Sequence, residues 1–200
     1  ISAVAVFTFL NFNDTAVSFL GWELILPKWL YFLLGIVLFW VSINVTNCTD
    51  GVDGLCASLG CVTLVSFRLL FGETLGAMGD AALLFAAVLL AYLYFNLSPS
   101  SMLMGDAGSR ALGFFLALTA LKSRHPFAFL LLAAVLIGDG GAGLVKVFLK
   151  RYCKIQVLVH TRTPLHDHMR KNRGWSDPQV VGRFVLFQLL FSLLCALLVK

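Results

Sequence analysis

Charge is what this 200-residue sequence has least of. Only 12% of its residues are Asp, Glu, Lys or Arg, where a soluble domain carries roughly a quarter. With hydrophobic residues at 60% and a mean hydropathy of +0.91, that shortage excludes a water-facing globular surface and predicts a membrane protein. Missing too are a Walker loop, a Gly-x-Ser-x-Gly elbow and a dinucleotide fingerprint, which removes three large enzyme classes. The five cysteines (Cys48, Cys56, Cys61, Cys153 and Cys195) have no paired metal spacing, so reduced, structural roles are expected of them. No polar stretch is long enough to form a soluble domain. What remains is an all-α, polytopic helical bundle.

Its spans can be read from the apolar runs. Ile1–Leu10 has no basic n-region and no small-residue cleavage site, and is expected to be the tail of a span in a longer protein. Between Asn11 and Pro27, the runs Ala16–Leu20 and Glu23–Leu26 flank a Gly21-Trp22 pair and predict a small extracytoplasmic β-hairpin. Spans are then expected over Trp29–Val45, Leu55–Phe71, Ala81–Leu97, Ala111–Leu121 (beginning nearer Ser109), Phe127–Phe148 and Phe184–Val199. Arg68 is close enough to a span end to snorkel.

The little charge there is falls unevenly. Nine of the 15 Lys and Arg residues lie between Lys146 and Arg183. A basic loop between spans reads as cytoplasmic, and spans on either side argue against nucleic-acid binding. Two crossings separate the Asp50/Asp53 loop from the Asp106 loop, and two more separate Asp106 from the basic loop. An even count returns the chain to one side, so all three polar loops should face the cytoplasm.

Carboxylates at span ends are costly unless paired, hydrated or metal-bound. Asp50 and Asp53 sit in Asn47-Cys48-Thr49-Asp50-Gly51-Val52-Asp53-Gly54, near Asn44, with glycines that let backbone approach a ligand. Asp106 lies in Met104-Gly105-Asp106-Ala107-Gly108-Ser109, after Asn96 and Pro99. The competing explanation is capping, by Thr49 or Asp50 for one helix and by Asp106 or Ser109 for the next. A carboxylate on a turn also suits Mg²⁺, which takes one or two carboxylates together with phosphate oxygens and water. The third group, Thr163-Pro164-Leu165-His166-Asp167-His168 with Arg170, Lys171 and Arg173, suits an anion such as a diphosphate. Its rival role is a basic loop touching anionic headgroups. Asp139 stands in a long apolar stretch seven residues before Lys146, about 10.5 Å of helix rise away, so a local salt bridge is not expected; a polar lining on the cytoplasmic side is.

In this order the three loops resemble the MraY family, the phospho-N-acetylmuramoyl-pentapeptide transferases, within the wider polyprenyl-phosphate N-acetylhexosamine-1-phosphate transferases. The first two strings are superfamily-wide; Pro164-Leu165-His166-Asp167-His168 with Gly174-Trp175 points to the MraY branch. The resemblance implies a single transmembrane domain over residues 1–200, the C-terminal part of a ten-helix enzyme of the bacterial inner membrane with a cytoplasmic active site. It implies transfer of phospho-MurNAc-pentapeptide from UDP to undecaprenyl phosphate, giving lipid I and UMP for peptidoglycan synthesis, with Mg²⁺ and as a homodimer. By position it makes Asp106 the metal aspartate and Asp50, Asp53, His166 and His168 its catalytic companions. Asn44, Asn47, Gly51, Val52, Asn96, Leu103 and Asp139 become substrate-binding positions.

Departures are visible. The middle of the family's three histidines is Asp167, Leu103 replaces a common aromatic and weakens base stacking, and Asp139 replaces a usual Glu. The family's paired aspartates would lie N-terminal to Ile1, so this stretch alone should be catalytically incomplete. Three rivals stand beside this reading. A sister transferase would use UDP-N-acetylglucosamine, a transporter would carry ions on midplane carboxylates, and a remnant would not catalyse at all.

Overall fold

Long apolar segments broken by short polar turns become antiparallel helices. The computed structural model describes residues 15–19, 22–155, 157–159 and 161–199; the expected span tail Ile1–Leu10 lies outside them. Strands β1 (Ala16–Phe19) and β2 (Trp22–Ile25) pair antiparallel, with Ala16 opposite Ile25 and Phe19 opposite Trp22, as the turn residues predicted. Helices α1 (Lys28–Thr49), α2 (Leu55–Leu75), α3 (Ala77–Asn96) and α4 (Gly105–Lys122) follow. They run back and forth between two ends. The hairpin marks one end, where the Ser18 N–H donates to the Arg124 carbonyl just past α4 at 2.7 Å. The acidic turns mark the other.

Helix boundaries move from the predicted ones for local reasons. Helix α4 begins at Gly105 (φ +65°), earlier than its apolar run, because Asp106 in the first turn complements the helix dipole. The last helix, α8 (Asp177–Leu198), starts seven residues before Phe184. Ser176 and Gln179 form a capping box there, and Pro178 lies in the first turn. Helices α1, α2, α3 and α8 are each long and apolar enough to cross a membrane.

The expected span Phe127–Phe148 is not one rod. A short 3₁₀ turn (Pro126–Ala128) leads into α5 (Phe129–Leu132), the chain breaks at Ala133, and α6 (Ala134–Phe148) leaves at 88°. Broken backbone at membrane depth needs partners, since lipid offers none. Gln188 on α8, fully buried, supplies them: its Nε2 donates to the Leu131 and Leu132 carbonyls, and its Oε1 accepts from the Val135 N–H. Thr63 on α2 adds a bond to the Leu132 carbonyl. Beyond α6 a π-turn (Leu149–Cys153) opens the basic loop, which runs to α7 (Leu165–Arg173).

Helix α1 is held closely between α4 and α6 by two glycines. A Cβ on Gly113 would stand 2.7 Å from the Ile43 Cα and the Ser42 carbonyl oxygen, and would collide with Thr46 Oγ1. Ser42 Oγ donates to the Gly113 carbonyl at 2.7 Å, a bond available only at this separation. On the other flank, a Cβ on Gly140 would meet the Val45 backbone. Gly113→Val is expected to destabilise the bundle by about 1–3 kcal/mol through overpacking. Unfolding in detergent measures this, and Gly182→Ala, where a Cβ meets nothing, serves as control. Equal stability of the two variants would disprove the close approach.

Candidate active site

The acidic turns meet at the end of the bundle opposite the hairpin. Helices α1 and α4 run antiparallel, so Asn47 near the end of one faces Asp106 and Ser109 at the start of the other. Asn47 Nδ2 donates to Asp106 Oδ1 and to Ser109 Oγ, each at 3.1 Å. Helix α3 returns Asn96 to the same level, where its Oδ1 accepts from the Gly54 N–H at 2.9 Å and its Nδ2 donates to the Met102 carbonyl at 2.8 Å. Asp53 Oδ2 accepts from the Ser100 N–H at 3.2 Å. These bonds tie three chain segments around a cavity of about 240 Å³. Asn47, Asp50, Gly51, Val52, Asp53, Asn96, Leu103 and Asp106 all contribute to its wall.

Capping does not account for the acids. Gly54, at φ +81°, precedes α2, and Met104 precedes α4, and neither helix start has a side-chain cap. Residues 50–54 form a turn that opens both Asp50 and Asp53 into one cavity. Asp106 is exposed and pairs with Arg110 at 2.9 Å, one helical turn on. Burial lifts the Asp50 carboxyl from 3.8 to about 6; a hydrogen bond from the Gly105 backbone opposes the shift, and the charge of Asp106 adds to it. A cation or a proton would relieve that cost at Asp50.

The basic loop reaches this end through one buried pair. The His166 imidazole Nδ1 lies 2.8 Å from Asp139 Oδ2, and the His166 backbone N–H donates to Asp139 Oδ1 at 2.7 Å. Both side chains are almost fully buried. His166 Nε2 faces Gly51, where a Cβ would come within 2.6 Å of it. Asp139 thus has a partner 27 residues away, while Lys146 donates to the carbonyls of Leu158 and Thr161.

Four candidate residues sit apart from the cavity wall: Asp139 and His166, buried together with the imidazole against Gly51, and Asn44 and His168. Asn44 Nδ2 donates to the Trp40 carbonyl one turn back on its own helix. His168 Nδ1 accepts from the Arg162 N–H at 3.3 Å, inside the basic loop. Asp167 pairs with Lys171, whose hydrogen bond holds its carboxyl below the ordinary range. The Gly-Trp motif is used in packing: the Arg183 guanidinium lies 4.0 Å over the Trp175 ring, and Arg170 bridges to Asp177, clamping α7 to α8. Sequence reasoning passed over Arg110 and the Ser109–Asn47 contact. The i, i+4 spacing of Asp106 and Arg110 would have revealed the first; nothing local signals the second.

Membrane-length antiparallel helices, with acidic turns gathered at one end around a polar cavity, define a polytopic membrane protein whose carboxylates line a cavity at one end of the bundle. The chain belongs to glycosyl transferase family 4, whose family model matches residues 1–124. A phospho-N-acetylmuramoyl-pentapeptide-transferase of Treponema pallidum is 42% identical over 181 residues, covering 82% of this chain and 50% of the relative. Proteins of the same name from Rhodopseudomonas palustris (30% identical; 90% of this chain, 54% of the relative) and Thermotoga neapolitana (28%; 97% and 63%) are also similar. The resemblance read from the three loops is borne out. The chain spans about half the length of the first two relatives.

Proposed function

We propose that this chain is the C-terminal, cytoplasm-facing part of a bacterial inner-membrane enzyme that transfers phospho-MurNAc-pentapeptide from UDP to undecaprenyl phosphate, releasing UMP and forming lipid I. The observation that carries this reading is the Asn47–Asp106 hydrogen bond, which joins two acidic turns 59 residues apart at the mouth of one cavity. The relatives' shared name supports phospho-N-acetylmuramoyl-pentapeptide as the transferred group. The basic residues from Lys146 to Arg183 support a cytoplasmic orientation. Residues 1–200 act as one transmembrane domain in this reading, and the complete enzyme is a homodimer.

Among the described residues, no three His, Cys, Asp or Glu side chains cluster tightly enough to hold a metal ion by themselves. Asp50, Asp53 and Asp106 nevertheless line one cavity, and Asp50 is strained by burial and by its acidic neighbour. That donor set fits Mg²⁺, which leaves most of its positions to phosphate oxygens and water. Asp106 would hold the ion, with Asp50 and Asp53 close by. When bound, Mg²⁺ supplies charge neutralisation for the diphosphate and the leaving nucleotide.

The chain's own residues do the rest. Asn47 fixes the Asp106 carboxylate, and the Gly105 N–H steadies Asp50. Gly51 and Val52 offer backbone to the nucleoside, and Asn96 anchors the turn beneath through the Gly54 N–H. Leu103, 77% exposed, presents an apolar face where the base lies. His166, whose Nε2 faces Gly51 in the cavity wall, brings an imidazole toward the substrate phosphates.

A sister transferase acting on UDP-N-acetylglucosamine is the second reading, favoured by the family's breadth. Offering the full-length enzyme each nucleotide sugar with undecaprenyl phosphate separates the two. UMP release is expected with UDP-MurNAc-pentapeptide, and at least about tenfold less with UDP-N-acetylglucosamine, because binding made to absent groups is lost. The reverse preference would reject the assignment.

A further inference from the structure

The Asp139–His166 pair is a buried polar unit that stands outside the cavity wall. The Asp139 carboxylate accepts two hydrogen bonds from one residue: the His166 backbone N–H at 2.7 Å and the imidazole Nδ1 at 2.8 Å. An ionised carboxylate accepts only, so an imidazole bonded to one carries its proton on Nδ1. That leaves Nε2 as the imidazole's working nitrogen, and Nε2 is the atom that faces Gly51. Gly51 is in the cavity wall, whereas neither Asp139 nor the buried body of His166 is.

The backbone bond matters as much as the ring bond. It ties the first turn of α7 to α6, so ring and main chain of His166 are fixed by one acid. Asp139 owes its own position to the break at Ala133, which swings α6 across the end of α1 and seats Gly140 against Val45. Loop, broken helix and acidic turn are thereby held in one register. Lys146 leaves the acid to histidine, since its ammonium donates to the Leu158 and Thr161 carbonyls.

We propose that Asp139 is a positioning residue: it holds His166 as the Nδ1–H form and aims Nε2 past Gly51 at the phosphate-bearing part of the substrate, without touching substrate itself. This rests on the transferase reading for its kinetic consequence, but not for its structural one. Asp139→Asn isolates the effect. An Asn can still accept from the backbone N–H, so α7 stays docked. Its other atom is an amide NH₂, which donates to Nδ1 and drives the proton to Nε2.

The test uses the full-length protein in detergent with ¹⁵N-labelled histidine, the His166 signals being assigned by their loss in His166→Gln. Wild-type protein should show a protonated Nδ1, and Asp139→Asn a protonated Nε2. In turnover, Asp139→Asn should lower kcat by about 100-fold or more, as a wrong tautomer does elsewhere, with KM for the nucleotide sugar within about threefold. Asp139→Glu, which retains the carboxylate, should recover at least a tenth of wild-type kcat. A wild-type His166 protonated at Nε2 would overturn the proposal, as would an Asp139→Asn that raises KM with kcat intact, which would mean direct substrate contact. If wild-type enzyme releases no UMP from UDP-MurNAc-pentapeptide, the proposed function fails, while the tautomer measurement still decides this inference.

Discussion

Asp106→Asn in the full-length protein should lower Mg²⁺-dependent UMP release by about a thousandfold, the equivalent of several kcal/mol of lost charge stabilisation. In the proposed transfer a polyanionic lipid phosphate approaches an anionic diphosphate, and repulsion between the two would dominate the barrier. Asp106 is the acid best presented for the neutralising ion, being exposed at the cavity wall and steadied by Asn47. Asparagine keeps the shape and can still accept from Asn47 Nδ2, so folding should survive. The variant also loses the Arg110 ion pair, but exposed i, i+4 pairs contribute little. Arg110→Gln therefore serves as the control, and it should not reproduce the loss. Turnover unchanged in Asp106→Asn, or equally depressed in Arg110→Gln, would remove Asp106 from the metal role.

Gln188→Leu should have the largest effect on stability, about 2–6 kcal/mol, with little change in side-chain volume. The substitution strands the Val135 N–H and the Leu131 carbonyl inside the bundle, each at about 1–3 kcal/mol. The Leu132 carbonyl keeps its bond from Thr63. Because Thr63 and Gln188 share that acceptor, Thr63→Val alone should cost less, and the double variant should depart from the sum of the singles. Unfolding midpoints in detergent for the four proteins measure this directly. A Gln188→Leu as stable as the parent would mean that the break at Ala133 is satisfied some other way. The consequence reaches the site as well, since α6 carries Asp139, and Asp139 carries His166.

Both expectations come from residues whose meaning differs between the two levels of description. Asp106 announces itself in the sequence, because a carboxylate between glycines at the edge of an apolar run has few cheap explanations. Gln188 does not. In the chain it is one polar residue in a long apolar helix, and only the break in α5–α6, brought against it from more than 50 residues away, gives it work.

The sequence by itself determined the membrane class, the hairpin, the family, and the three polar loops that belong at one end. Each is carried by local composition, by a short motif, or by counting crossings. Tertiary structure decided the remainder. It broke the Phe127–Phe148 run, joined Asp139 to His166 outside the cavity wall, and drew Asn47 to Asp106 and Ser109, while leaving Asn44 and His168 off that wall as well. The physical reason is separation along the chain: apolar periodicity and turn chemistry act within a few residues, whereas buried polar atoms are satisfied by whichever partner the packing of distant helices brings within 3 Å or so.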